Sequence, residues 1–531
     1  MKRFKNRVLV QSLLLLTLVA LSGLTNVGSS TASAQNVTVQ RNPRILQQDQ
    51  HNLSEPLGEI IKNMPSAAFE SRTMIEPGHF RPPIIGIGPD AAEQREPLPK
   101  LKAKLLQNFA GVGQGDYGYS DSLTPPDTNA SVGDTQVVEF VNDSFAIFDK
   151  TTGALIAGPT AGSAFWTGLG GPCAAPLQGD IIIKYDQLAQ RWVALYLAFE
   201  QVPYYICSAV STTSDATSSY NQYSMSFGDN LPDYPKLSVW PDAYYLNTNV
   251  NGGYADACAL NRTAMLSGQP MTAQCFTKTN EASFLPSDVD GAGIATAGEP
   301  AFFVDLATST SLHLYKFHVD FTNPNNTTFT GPTSITVASY TSACGGFGQC
   351  IPQPAAGQTL DSLADRLMYR LAYRNFGDHE SLFVTHSVTP SSGSQVSALR
   401  WYEIQNPDGT PVIAQQGTYA NNKASLWMGS IASDKANNLL LGFSGSSTAV
   451  FPFVGITGRL STDPQGAMET LKTLKAGAGS QEYYRWGDYS SMALDPTDDC
   501  TFWYTTEYMK TTTGANAWSS QLSSLRFPAC N

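Results

Sequence analysis

The chain has 531 residues, a formal net charge of −12 and only 14% charged side chains. That acidity argues against nucleic acid and anionic membrane surfaces as partners. A chain this long outgrows one simple core, which favours a repeated unit that packs only on its neighbours.

Met1–Arg7 is basic, Val8–Leu24 is apolar, and small residues lead to Ala32-Ser33-Ala34. This is the pattern of a secretory signal peptide over 1–34, cut before Gln35. It carries four basic residues and no acid, so the remainder has a net charge of −16. No later stretch approaches about 18 uninterrupted apolar residues, so no membrane span is expected after cleavage. The expected location is extracellular or periplasmic. Residues 35–100 are rich in Pro, Gln and charge, and read as a leader or linker of low order, lying on the surface of the domain formed by the rest of the chain.

From Leu101 to the C-terminus, short β-branched and aromatic runs alternate with Gly, Asn, Asp, Ser and Pro. An Asp-led strand, a tight turn and an aromatic second strand recur. The clearest copy is Asp488–Leu494, Asp495-Pro496 and Thr501–Tyr504. Unit starts fall near Asp127, Asp180, Asp233, Glu299, Asp365, Gly429 and Asp488, a period of about 50–65 residues. The pattern predicts an all-β fold over 101–531, a β-propeller of seven blades with four strands each. Only three strands can be drawn after Asp488. The fourth is expected from Leu105–Val112, so that an N-terminal strand joins the last blade and closes the ring.

Eight cysteines lie beyond the signal: Cys173, Cys207, Cys258, Cys275, Cys344, Cys350, Cys500 and Cys530. In an exported chain they read as disulfides, and nearest-neighbour pairing is the simplest scheme. No C-x₂-C pair suggests zinc.

Three groups of residues could carry chemistry. The strand-leading Asp127, Asp180, Asp233, Asp365 and Asp488 could converge on one end of a central channel and hold a hard cation such as Ca²⁺. Within that set Asp180 and Asp488 are candidate acid/base residues. Such aspartates also serve to bind nearby backbone N–H groups. Arg366, Arg370 and Arg374 share one face of a strand and, with Arg485, could capture a carboxylate; pairing with acids of neighbouring blades is the alternative. His379 and Glu380, in an apparent hairpin turn, are further catalytic candidates. No nucleophile elbow, zincin motif or phosphate loop is present. Trp166, Trp240, Trp401, Trp427, Trp486 and Trp503 read as packing between blades.

Several strings resemble an uncharacterised group of secreted bacterial β-propeller proteins, itself loosely similar to sialidase-type (BNR) propellers. They are Pro125-Pro126-Asp127-Thr128-Asn129, Gly170-Gly171-Pro172-Cys173, Tyr234-Pro235-Lys236-Leu237, Asp361–Asp378 and Arg485-Trp486-Gly487-Asp488-Tyr489-Ser490-Ser491. The resemblance spans Leu101 to Cys530 and implies the fold and export. It brings no active site, and the S-x-D-x-G-x-T-W boxes of sialidases are absent. The functional expectation is therefore a propeller that binds a glycan or small carboxylated ligand at the channel mouth. A sialidase-like glycoside hydrolase, a Ca²⁺-dependent hydrolase or lactonase, and a structural or adhesive surface module are the alternatives.

Overall fold

The computed structural model describes residues 37–64, 82–119, 123–175, 179–250, 253–279, 281–293, 295–354, 358–511 and 517–530. Residues 1–34, which the sequence reads as a signal peptide, lie outside them. No helix in the described residues is long and apolar enough to cross a membrane.

Strands form where the alternating apolar runs predict them, and they hydrogen-bond in sequence as antiparallel four-stranded meanders. The innermost strands are Asn129–Val132, Ile182–Asp186, Asp233–Val239, Leu285–Val289, Met368–Asn375, Ser425–Ser433 and Ser491–Leu494. Each touches the next, and Ser491–Leu494 touches Asn129–Val132, so they close a ring around one axis. We number the units they open as blades 1 to 7. The fold is a β-propeller. The innermost strands of blades 4 and 5 also pair in parallel, with Ser287, Asp288 and Val289 opposite Leu371, Ala372 and Tyr373.

In the last blade, Ser491–Leu494, Thr501–Met509 and Trp518–Arg526 come from the C-terminus, and Lys104–Gly113 pairs with the third of these as the fourth strand. The chain thus closes its own ring. Disulfides join Cys173 to Cys207, Cys258 to Cys275, Cys344 to Cys350 and Cys500 to Cys530, the nearest-neighbour scheme. They suit an oxidising compartment.

Two sequence expectations are corrected. Glu299 does not open blade 4; it precedes the second strand, Ala301–Thr308. The innermost strand is Leu285–Val289, whose Pro286 and two closely spaced acids, Asp288 and Asp290, disguise it as a loop. The leader is not of low order where it is described. Thr38–Gln40, Arg44–Gln47 and Gln50–Leu53 add a fifth, outer strand to blades 4, 3 and 2 in turn. Helix Leu57–Asn63 then buries Leu57 and Ile60 in the cluster that holds Phe140 and Phe165. Further on, Glu93 bridges Thr418 of blade 5 and Lys100 bridges Thr470 of blade 6. These segments form a belt that covers outer strand edges, which would otherwise be open to pairing with another chain.

The core lies between blades. Trp166, Trp192, Trp240, Trp401, Trp427, Trp486 and Trp518 are fully buried. Trp427 and Trp486 meet across blades 6 and 7 at 5.6 Å, and the Trp486 indole N–H donates to Ser444 Oγ at 3.0 Å. Each such ring removes ~150–250 Å² from water, roughly 4–6 kcal/mol of transfer free energy.

Candidate axial site

The innermost hairpins turn on aspartates that serve the backbone. Asp186, Asp434 and Asp495 each accept N–H groups two to four residues further on. This is the local Asx role.

The strand-leading aspartates at the other end behave differently, because their bonds cross between blades. Asp127 Oδ1 accepts from the Asp488 N–H at 2.7 Å, and Asp180 Oδ2 from the Tyr234 N–H at 3.1 Å. Asp127, Asp180 and Tyr234 all have positive φ, 48°, 54° and 54°. Asp tolerates this conformation and Tyr rarely adopts it, so the surrounding structure must hold the entry to the strands in place. The result is convergence. One carboxylate oxygen each from Asp127, Asp180 and Asp488, on blades 1, 2 and 7, all lie within 4.8 Å of one another. Asn142 braces the group: its Nδ2 donates to Asp127 Oδ2 at 3.0 Å, and its Oδ1 accepts from the Asp180 N–H at 3.0 Å.

Two cations flank the cluster. Arg485 donates to Asp488 Oδ1 at 2.9 Å, and its Nε lies 3.9 Å from Asp361 Oδ2. The Lys236 ammonium donates to the Pro235 carbonyl at 3.0 Å and sits 3.4 Å and 4.2 Å from the ring centres of Tyr234 and Tyr489. Burial and mutual repulsion govern the protons here. Burial, then Asp488 and Asp180, holds the Asp127 carboxyl well above the usual range. Asp180 is pushed up to about 7 by burial, with Lys236 opposing and Asp233 and Asp488 adding. Burial and then Asp488 lift Asp361 to about 7, and burial lowers Lys236 to about 8.

Of the five aspartates expected to converge, the structure brings three together. Asp233 stands close enough to Asp180 to raise it. Asp365 is instead held by the adjacent Arg366, at 2.8 Å from Nε and 3.0 Å from Nη2.

Arg366, Arg370 and Arg374 are all buried, Arg366 just before the strand and the other two on it, and each already carries acids. Below the Arg366–Asp365 pair, Arg370 Nη1 donates to Asp290 Oδ2 at 2.7 Å, and Arg370 Nε lies 3.0 Å from Asp288 Oδ2. Lys184 also pairs with Asp288. These buried ions plug the middle of the axis. At the far end Arg374 binds Asp499 in a two-pronged pair at 2.8 and 2.7 Å. Burying a guanidinium without such a partner is costly, and here the adjacent Asp365, Asp288 and Asp290 beside blade 4, and Asp499 of blade 7 supply them.

His379 and Glu380 do not join Asp180 and Asp488. They lie just beyond Met368–Asn375, about 25 Å further along the axis at 3.3 Å per residue. His379 Nδ1 meets Asp378 at 2.7 Å and its ring stacks on Phe376, while Glu299 is raised to about 8 by burial and then by Glu380, against the lowering effect of the Thr296 N–H that it accepts.

Sequence reasoning missed Asn142, Lys184, Lys236, Asp288, Asp290, Asp361 and Glu507 as axial residues. The available signal was a long charged side chain in the middle of a strand-forming run, as at Lys236 in Asp233–Val239 and Glu507 in Thr501–Met509. A sizeable cavity lies elsewhere. About 740 Å³ lies between belt residues 89–98 and blades 5 and 6, lined by Arg95, Tyr419 and Asn421 among others. The axial cluster is more distinctive because its charges are buried and convergent, whereas the rim cavity is an open groove beside the leader.

No protein-family model and no curated protein matches the chain. Solved structures similar to it include polysaccharide lyase Uly1, at 10% identity over 81% of this chain and 100% of that one, with a TM-score of 0.36. The N-terminal domain of Nup159 is similar at 8% identity over 82% and 100%, TM-score 0.35. The α-L-arabinofuranosidase Arb93A from Fusarium graminearum is similar at 11% identity over 64% and 90%, TM-score 0.26. At such identities and scores no activity transfers to this chain. It is a β-propeller with an acidic centre at one end of a plugged axis.

Proposed function

We propose that the protein is an exported propeller that binds a hydroxyl-rich ligand, a glycan, at the axial end where Asp127, Asp180 and Asp488 converge. The convergence of three carboxylates from three blades carries the reading. Carboxylates are acceptors of several hydroxyl donors at once. Asp180 is the least buried of the three, at 8% against 1% and 2%, and is the residue on which the reading is tested. A ligand with its own carboxylate suits the site less well. Arg366, Arg370, Arg374 and Arg485 each face an internal acid that such a ligand would have to displace.

The test is a glycan array with the mature protein, paired with fluorogenic glycosides on the same samples. Binding without turnover is expected. Asp180→Asn keeps an acceptor for the Tyr234 N–H and should lower binding at least tenfold without unfolding the protein. Undiminished binding by folded Asp180→Asn removes the axial end as the site.

A further inference from the structure

We propose that the axial cluster is a hard-cation site, with Asp127, Asp180 and Asp488 supplying oxygen ligands to an ion of the Ca²⁺ class. This goes beyond glycan binding and does not depend on it.

The geometry suits such an ion. Oxygens bound to one Ca²⁺ at 2.3–2.6 Å lie at most about 5 Å apart, and the three carboxylate oxygens fall within 4.8 Å of one another. Ions bound at 2.0–2.1 Å, as Mg²⁺ is, require a tighter set. Donors of oxygen alone favour hard ions over zinc or copper.

A separate observation points the same way. Glu507 projects from the second strand of blade 7 and is 1% exposed. Its Oε1 accepts from the Gly487 N–H, while its Oε2 has no hydrogen-bond partner. Gly487 marks how close this is: a Cβ there would lie 2.8 Å from Glu507 Oε1 and 3.3 Å from the Asp127 nitrogen. Glu507 is thus a buried carboxylate with one oxygen unpartnered, close enough to Asp127, Asp361 and Asp488 for them to raise it further after burial. Asp127, Asp180, Asp361, Asp488 and Glu507 face the Arg485 guanidinium, the Lys236 ammonium and, more remotely, Arg366, whose own partner is Asp365. A divalent ion bound by the three aspartates offsets most of that excess, with Glu507 acting as a neighbouring charge rather than as a ligand.

Terbium tests this, since Tb³⁺ substitutes for Ca²⁺ and is sensitised by nearby tyrosine. Tyr234 and Tyr489 flank the cluster through Lys236. Mature protein stripped with EDTA, with no glycan present, is titrated with TbCl₃, then with CaCl₂ or MgCl₂ at constant ionic strength, and its melting temperature is recorded alongside. The expected result is sensitised emission saturating at one ion per chain, displaced by Ca²⁺ at concentrations where Mg²⁺ does not displace it. Ca²⁺ should also raise the melting temperature. Asp180→Asn should weaken Tb³⁺ binding at least tenfold, and Glu507→Gln, which removes charge without removing a ligand, about threefold. Wild-type protein that shows neither emission nor a Ca²⁺-dependent melting shift overturns the site. So does a folded Asp180→Asn that binds as wild type does. A site that fails this titration while the glycan array still depends on Asp180 leaves the binding reading standing, and the converse result leaves the cation site standing.

Discussion

Glu139→Gln should remove a pH dependence built into ring closure. Glu139 lies on the second strand of blade 1 and is fully buried. Its Oε2 accepts the Val112 N–H at 2.8 Å from the closing strand Lys104–Gly113, and its Oε1 accepts the Thr505 hydroxyl at 2.5 Å from blade 7. Gly111 makes room for it, since a Cβ there would come within 2.0 Å of the carboxylate. Burial outweighs these bonds and lifts the Glu139 carboxyl from 4.5 to about 7. The folded protein thus holds this proton more tightly than the unfolded chain does. The stability it contributes is complete below about pH 4.5 and is lost as pH rises through 7. A shift of about 2.5 units at 1.36 kcal/mol each amounts to about 3 kcal/mol. Gln can accept from Val112 and donate to the rotated Thr505 hydroxyl at any pH. The assay is urea denaturation of both proteins, non-reduced, at pH 4.5, 6 and 8. The unfolding free energy of the variant relative to wild type should gain about 3 kcal/mol from pH 4.5 to 8. Other buried acids, such as Asp361, titrate in both proteins and cancel in the difference. Parallel pH profiles would refute the burial of a titrating Glu139 at the closure seam.

Arg370→Met should destabilise the fold by about 3–5 kcal/mol, because Asp288 and Asp290 would be left buried with only Lys184. Calorimetry showing wild-type stability would instead mark Arg370 as a ligand-binding group. Removing residues 35–64 should expose the outer edges of blades 2, 3 and 4 and strip Asp256 of Arg44. Light scattering is expected to show self-association, with Tb³⁺ binding retained; a monomer of unchanged melting temperature would contradict the belt's role. Replacing Cys500 and Cys530 by Ser should cost about 3.5 kcal/mol from the loop of 30 residues they close, measured as the shift in urea midpoint.

The architecture was legible because its signals are local and repeated. Asp180–Asp186 and Asp488–Asp495 show an entry, a strand and a turn within a few residues, and the missing fourth strand of the last blade pointed to Leu105–Val112. The blade 4 entry was not legible, since Pro286, Asp288 and Asp290 break the apolar pattern for a reason found only across the ring: the two acids meet Arg370 and Lys184 on blades 5 and 2. The belt was hidden for a similar reason. Thr38–Gln40 and Gln50–Leu53 have little alternation of their own and become strands by completing the edges of others. At the site, sequence showed which aspartates open strands but not which face each other. Asp365 is lost to its neighbour Arg366, while Glu507 enters from the second strand, beyond the aromatic run Phe502–Tyr504 that marks it.

The central claim is that ligand recognition is seated on the axis rather than at the rim. A crystal of the mature protein soaked in CaCl₂ and an array-selected glycan tests this most directly. The account predicts an ion among Asp127, Asp180 and Asp488, with sugar hydroxyls within hydrogen-bond distance of Asp180. Glycan density confined to the groove beside Arg95, Tyr419 and Asn421, with no ion on the axis, would contradict it.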